Sequence, residues 1–145
     1  FEMYQTEDIR VRNQIFLPTG NGKVPFIHAR DIGEVAARII EKPDNYKNQL
    51  LYITGPESLD HFEAAKIFSD VLGKKIIYMN PDDDTYRIAM KERGFSNKYI
   101  EAMIAVFGKI RKGLVSQTSD KVEEVLGRKP ISLKEYIDEN RDLFL

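Results

Sequence analysis

The 145-residue sequence contains no cysteine and no tryptophan. The lack of cysteine excludes disulfides, thiolate catalysis and cysteine-based zinc sites. No apolar run approaches the roughly 18 residues that span a bilayer, and the first residues do not resemble a signal peptide. The net charge of -1 offers no electrostatic basis for binding nucleic acid or an anionic membrane. These absences predict a cytoplasmic protein that binds neither nucleic acid nor a membrane.

Several catalytic motifs are missing as well. The sequence has no Gly-x-Ser-x-Gly elbow, no Gly-x-x-x-x-Gly-Lys-Ser/Thr phosphate loop and no Gly-x-Gly-x-x-Gly dinucleotide fingerprint. The Tyr-x-x-x-Lys pair of many short-chain dehydrogenases is also absent. The histidines, His28 and His61, lie on different predicted elements without further ligands beside them, and His61 is expected on the surface. We therefore assign no catalytic residue, no cofactor-binding residue and no metal site.

Composition and periodicity predict a single α/β domain over residues 1–145. Hydrophobic residues make up 42% of the chain and charged residues 31%, as in ordinary globular proteins. Short apolar runs predict strands at residues 15–17, 24–27, 50–54 and 75–79. The run at 50–54 is almost continuously apolar, which predicts a strand buried on both faces, as in a parallel sheet. The later part of the chain is nearly all helical and ends in one helix from Leu133 to Phe144.

Some residue pairs have the spacing of a capping box. In this motif a cap side chain and a glutamate three residues later exchange hydrogen bonds with the helix backbone. The pairs are Asp31 with Glu34, Asp60 with Glu63, and Ser132 with Glu135. The first pair would open a helix directly after the strand at 24–27, as in half of a βαβ unit. Apolar residues at helical spacing from Ile32 to Ile40 predict that this helix buries one face.

A few residues are candidates for lining a substrate pocket. His28 lies at the C-terminal end of a predicted strand, where α/β proteins place ligands. The alternative for His28 is a structural hydrogen bond near Asp31. A stripe of aromatic and methionine side chains in the helical half, including Tyr99, fits an apolar cavity between helices, although such stripes more often form a core. The pocket candidates are His28, Tyr86, Met90, Met103 and Phe107.

Four segments in order carry a resemblance to a known family. Residues 22–36, Gly-Lys-Val-Pro-Phe-Ile-His-Ala-Arg-Asp-Ile-Gly-Glu-Val-Ala, resemble the segment of NmrA-like proteins in which a strand enters a helix through Arg-Asp-Ile-Ala. Residues 52–59 are similar to the strand and turn that follow, and residues 122–130 to a near-terminal block. Residues 1–4 resemble the helix just after the nicotinamide-facing segment. The order and spacing of the four make the resemblance specific, and it covers essentially the whole chain.

The resemblance implies an atypical short-chain dehydrogenase/reductase. Members of this family include NAD(P)H-dependent quinone, azo-dye and triphenylmethane reductases, and non-catalytic NAD(P)-sensing regulators. The family's dinucleotide site lies in its N-terminal half. This chain resembles the C-terminal part of the Rossmann-like fold: a few short strands with helices, followed by a mostly helical substrate lobe. NAD(P)H is thus implied as the cofactor of a full-length parent, with none expected on this chain.

The implied function is the C-terminal substrate-binding portion of an NAD(P)H-dependent oxidoreductase. Its small-molecule substrate would be an aromatic or quinoid acceptor, and the chain alone would be inactive. One alternative is a non-enzymatic NAD(P)-sensing regulator, and another is a self-associating binding module. Because half of a parallel sheet leaves unpaired edges and exposed apolar faces, we expect a homodimer or a swapped assembly.

Overall fold

A short parallel sheet holds the α/β half of the molecule together. The computed structural model describes residues 5–145, and its sheet pairs β1 (Gln14–Phe16) with β2 (Ile77–Met79), Ile15 lying opposite Tyr78. A long crossover that carries two helices joins these parallel strands, as this strand arrangement requires. The mixed α/β fold predicted from the sequence is confirmed. The predicted helix-like segment at residues 1–4 lies outside the described residues.

Helices form most of the remaining described chain. In chain order they are α1 (Thr6–Arg12), α2 (Ala29–Glu41), α3 (His61–Leu72), α4 (Asp83–Glu92), α5 (Asn97–Arg111), α6 (Lys121–Leu126), α7 (Leu133–Glu139) and α8 (Arg141–Phe144). Gly73, with a φ of 69°, ends α3 in the left-handed conformation that glycine adopts without strain. The single final helix predicted after Leu133 is divided at Asn140. Within residues 5–145, no helix combines the length and apolar character needed to cross a membrane.

The side chains pack into two separate cores. The first lies between the inner face of the sheet and α1, α3, α7 and α8, where the rings of Phe68 and Phe144 meet edge to face at 5.1 Å. The second lies between α4 and α5 and includes Tyr86, Ile100 and Phe107. The strand β1 touches both cores, because Ile15 points into the first and Phe16 packs against the second. The boundary between the cores is therefore fixed beside β1.

Two of the predicted capping boxes are present. At the start of α3, Glu63 N–H donates to Asp60 Oδ1 and Asp60 N–H donates to Glu63 Oε2, both at 2.8 Å. At the start of α7, Ser132 N–H donates to Glu135 Oε2 at 2.8 Å, and Glu135 N–H donates to Ser132 Oγ at 3.2 Å. The backbone hydrogen bond pulls the pKa of each glutamate below its ordinary value. These exchanges fix where both helices begin.

The capping box predicted for Asp31 and Glu34 is wrong. Helix α2 begins earlier, at Ala29, and its cap is His28, whose Nδ1 accepts from Arg30 N–H at 2.9 Å. Asp31 therefore occupies the third position inside the helix rather than the cap. The spacing Asp-x-x-Glu matches a capping box, but the preceding imidazole supplies the acceptor that the first turn needs.

Asp31 instead joins α2 to the chain just before α7. Its carboxylate is fully buried, accepts from Ile131 N–H at 2.7 Å and lies 2.8 Å from the guanidinium of Arg128. Arg128 reaches Glu34 as well, at 2.7 Å, on the exposed side. The buried Asp31 carboxylate thus pairs with a backbone donor that is distant in sequence, since a buried polar group needs a hydrogen-bond partner.

The strands predicted at 24–27 and 50–54 are also wrong. Val24 forms only an isolated antiparallel bridge with Leu59, and residues 50–54 belong to no ladder in the described chain. Leu50, expected to be buried, is 96% exposed. A strand requires a neighbour to pair with, and the described chain supplies none for these residues.

The apolar face of α2 is likewise only partly buried. Val35 is 2% exposed, but Ile32 and Ile40 are 45% and 79% exposed. The sequence correctly predicts an amphipathic helix, yet most of its apolar stripe meets no partner in the described chain.

We expect Asp31→Ala to lower the free energy of unfolding by about 2–3 kcal/mol, because it removes the buried carboxylate that accepts from Ile131 N–H and pairs with Arg128. Glu34→Ala is the matched control, since it removes only the exposed contact with Arg128 and should cost less than about 1 kcal/mol. Urea unfolding at pH 7 measures both. Equal losses would show that the buried hydrogen bond does not link α2 to α7.

Candidate functional site

A cavity of about 450 Å³ lies at the boundary between the two cores. Its size falls in the range of pockets that take small organic ligands. The structure brings every predicted pocket residue into the lining of this one cavity: His28, Tyr86, Met90, Met103 and Phe107, with Tyr99 beside them. That a substrate occupies the cavity stays a prediction.

One wall of the cavity is aromatic and comes from α4 and α5. The ring of Tyr86 meets Phe107 edge to face at 5.3 Å and stacks on Phe16 at 6.2 Å. Phe95 stacks on Tyr99 at 5.1 Å near the start of α5. Because each ring packs against another, their orientations are set before any ligand arrives. The wall is therefore a pre-formed apolar surface.

The opposite wall comes from the starts of α2 and α7. The imidazole of His28 meets the ring of Tyr136 edge to face, with centroids 5.3 Å apart. Ser132, which caps α7, also lines this wall. The buried carboxylate of Asp31 holds these two helix starts together, through Ile131 N–H. This wall thus combines an imidazole, a tyrosine ring and a serine.

The cavity has one permanently charged side chain among its described lining residues, Arg93. Its guanidinium donates two hydrogen bonds to Asp8, at 2.7 and 3.1 Å, and lies 5.8 Å from the centre of the Phe16 ring. Asp8 is fully buried and is also paired with Arg12 at 3.0 Å. Because Arg12 also pairs with Glu7 at 3.2 Å, two carboxylates match the two arginines, and this balance favours an uncharged ligand.

Sequence reasoning missed Arg93 and Tyr136 as lining residues. A signal for Arg93 existed, because it follows Tyr86 and Met90 at helical spacing and so shares their face. Tyr136 carried no such signal, since its place opposite His28 depends on how α7 meets α2. Within residues 5–145, no group of three or more His, Cys, Asp or Glu side chains is arranged to hold a metal ion.

The second histidine, His61, belongs to a buried cluster next to the cavity. Its predicted position on the surface is wrong. His61 is only 3% exposed, and its Nδ1 lies 2.8 Å from Thr19 Oγ1. Thr19 Oγ1 lies 2.7 Å from the hydroxyl of Tyr78, which donates to the Leu17 carbonyl at 2.9 Å. Phe26 packs edge to face on His61 at 5.5 Å. The loop after β1 covers the first turn of α3, so this cluster fixes two lining residues, Leu17 and Phe26.

Burial controls the titration of this cluster. Removal from water disfavours the charged imidazolium and lowers the pKa of His61 from its ordinary value of 6.5 to about 4. The same burial raises the pKa of the Tyr78 hydroxyl. Both groups are therefore neutral at pH 7 and act as hydrogen-bonding parts of the fold.

Comparison with known proteins assigns the family. Residues 3–137 match the model of the NmrA-like family. The chain belongs to the NmrA-like family. Among its curated relatives, the NAD(P)H azoreductase of Xenophilus azovorans is 30% identical over 128 residues, which are 88% of this chain and 44% of that protein. The festuclavine dehydrogenase of Aspergillus fumigatus is 27% identical over 134 residues, 92% of this chain and 46% of that protein.

Solved structures show the same fold for this NmrA-like chain. The NADPH-dependent quinone oxidoreductase QOR2 of Escherichia coli superposes with a TM-score of 0.85 at 17% identity, over 94% of this chain and 50% of that one. The Citrobacter triphenylmethane reductase complexed with NADP(H) superposes with a TM-score of 0.79 at 23% identity, over 93% and 45%. The chain thus spans about half the length of these relatives, and the predicted Rossmann-like relationship is confirmed.

We expect the stability of the chain to fall as the pH drops from 6.5 through 4. Unfolding exposes His61, which then binds a proton at any pH below its ordinary pKa of 6.5, whereas the buried ring binds one only near pH 4. The loss attributable to His61 should approach about 3 kcal/mol at pH 4.

Urea unfolding of the wild type and of His61→Gln from pH 7 to pH 4 isolates this contribution from that of the carboxylates. The variant should lose less stability over this range than the wild type. If the free energies of unfolding of the two proteins fell in parallel from pH 7 to pH 4, the burial of a neutral His61 would be contradicted.

Proposed function

We propose that this chain is the C-terminal substrate-binding portion of an NAD(P)H-dependent oxidoreductase, and that its substrate is a small aromatic or quinoid acceptor. The observation that carries the proposal is the cavity between the two cores. Its aromatic wall presents flat π surfaces such as Tyr86, and its methionines, Met90 and Met103, adapt to the outline of a ring.

The charges of the cavity support the same ligand class. Arg93 is held by the buried Asp8, so a carboxylate or phosphate on the ligand would have to compete with a carboxylate already bound. A neutral ring avoids this competition. The named activities of relatives agree with such a ligand, since they include an azoreductase and a quinone oxidoreductase.

NAD(P)H is the proposed cofactor of the whole protein, because solved neighbours are complexes with NADP(H) or NADPH. The described residues of this chain do not fit a dinucleotide site of their own. The glycine turn at residues 20–22 packs against α5, where a Cβ at Gly22 would lie 2.3 Å from the Ile110 carbonyl oxygen, and no helix begins directly after it. We therefore assign the chain the binding and orientation of the acceptor, and expect no reductase activity from it alone.

The cavity can be tested with methionine methyl groups as reporters. In protein labelled with ¹³C at these methyls, 2-methyl-1,4-naphthoquinone should shift the resonances of Met90 and Met103, which line the cavity. Met79, on β2 and absent from the lining, is the internal control. Unchanged Met90 and Met103 resonances at millimolar quinone would contradict the proposal.

A matched pair of substitutions on α5 tests whether the quinone binds inside the cavity. Met103→Trp should fill the cavity and weaken quinone binding at least about tenfold, because the ligand and the indole compete for one volume. Val106→Trp, on the same helix but outside the lining and 46% exposed, should leave it unchanged.

We also propose that the chain self-associates as a homodimer, with a second copy covering residues 50–53. This segment is apolar, forms no ladder in the described chain, and leaves Leu50 and Tyr52 96% and 55% exposed. Exposed segments of this kind add strands from another chain.

Sedimentation equilibrium should show a dimer that Leu50→Lys dissociates. Leu114→Lys, at a site 69% exposed elsewhere on the surface, should leave the dimer intact. A monomer at high concentration would contradict this assembly.

A further inference from the structure

We propose that Gln5 is a ligand-binding residue of the cavity, and that its side-chain nitrogen Nε2 donates a hydrogen bond to an acceptor atom of the ligand. A quinone carbonyl oxygen and an azo nitrogen are acceptors of this kind. The inference rests on the proposed function, because it assumes that the cavity holds an aromatic ligand. It adds a polar contact that positions one edge of that ligand.

The strand β1 holds the Gln5 amide in one orientation. Leu17 N–H donates across the sheet to the Met79 carbonyl at 3.2 Å. Because successive N–H groups of a strand point to opposite edges, the N–H of Phe16 points away from β2. Gln5 Oε1 accepts from this N–H at 3.0 Å. Exchanging the oxygen and nitrogen of the amide would bring two donors together, so Oε1 stays on the strand and Nε2 faces away from it.

The nitrogen of this amide is accessible and has no partner in the described chain. Within residues 5–145, the Gln5 side chain bonds only to Phe16 N–H, through Oε1. Nε2 of Gln5 is not among the unpaired side-chain nitrogens there that are sealed from solvent, whereas Nε2 of His28 is. Gln5 is only 6% exposed and lines the cavity. A ligand in the cavity can therefore reach its two N–H groups.

The lining next to Phe16 offers hydrogen-bond donors. Arg93 lies 5.8 Å from the centre of the Phe16 ring, and a guanidinium only donates. Gln5 also only donates there, since its oxygen is already bonded. The three tyrosines of the lining share in binding the ligand, but their hydroxyls rotate and can donate or accept. A ligand edge that accepts hydrogen bonds therefore matches this part of the cavity.

The variant Gln5→Glu tests the donor, because glutamate keeps an oxygen for Phe16 N–H and replaces the amide nitrogen with a second oxygen. The ligands are 2-methyl-1,4-naphthoquinone and 2-methylnaphthalene, a hydrocarbon of matched outline. Titrations at pH 8, where the carboxyl is ionised, are followed on the Met90 and Met103 methyls. The variant should bind the quinone at least about fivefold more weakly, with less than about a twofold change for the hydrocarbon.

The matched control is Gln14→Glu, which makes the same change on β1 at a residue outside the lining. It should leave the affinities for both ligands unchanged. A loss of quinone affinity as large as that in Gln5→Glu would show that added negative charge, rather than the missing donor, weakens binding, and would overturn the proposal.

A second measurement does not depend on a variant folding. In ¹⁵N-labelled wild-type protein, the Nε2 resonances of Gln5 should move with the quinone but not with the hydrocarbon. Unmoved resonances when the quinone is bound, an unchanged quinone affinity in Gln5→Glu, or equal losses for both ligands would each overturn the role of Gln5. If the wild type binds neither ligand, the proposed function itself fails.

Discussion

The buried carboxylate of Asp31 is the contact on which the arrangement of the cavity depends. It binds Ile131 N–H and Arg128, and so joins the start of α2 to the start of α7 across 100 residues of sequence. His28 precedes the first of these helices and Tyr136 lies on the second. Their edge-to-face contact exists because Asp31 brings the helix starts together. A buried carboxylate that satisfies a backbone donor holds one geometry, since any other leaves polar groups unpaired.

The cavity results from two cores that meet without merging. The core around Phe68 and the core around Phe107 each bury their own aromatic rings, and β1 contacts both. What remains between them is an apolar volume with a stacked aromatic wall on one side and the polar helix starts on the other. The positive charge of Arg93 is already matched by Asp8. A neutral ring is the ligand that we propose for this volume, and among the described residues no group of three or more His, Cys, Asp or Glu side chains is arranged to hold a metal ion.

Helical periodicity and turn chemistry predicted much of this from sequence. The shared face of Tyr86 and Met90 on α4, and that of Tyr99 and Met103 on α5, follow from helix geometry, and the capping boxes at Asp60 and Ser132 need only four consecutive residues. The role of Asp31 could not be predicted, because the same Asp-x-x-Glu pattern fits a cap and its partners lie far along the chain. Likewise the strand at 50–54 had the right composition, but pairing depends on a neighbour that a local pattern does not reveal.

A crystal structure of the chain with 2-methyl-1,4-naphthoquinone tests the central claim most directly. The account predicts that the quinone lies between the Tyr86 wall and the His28 wall. A quinone bound elsewhere on the chain would contradict it.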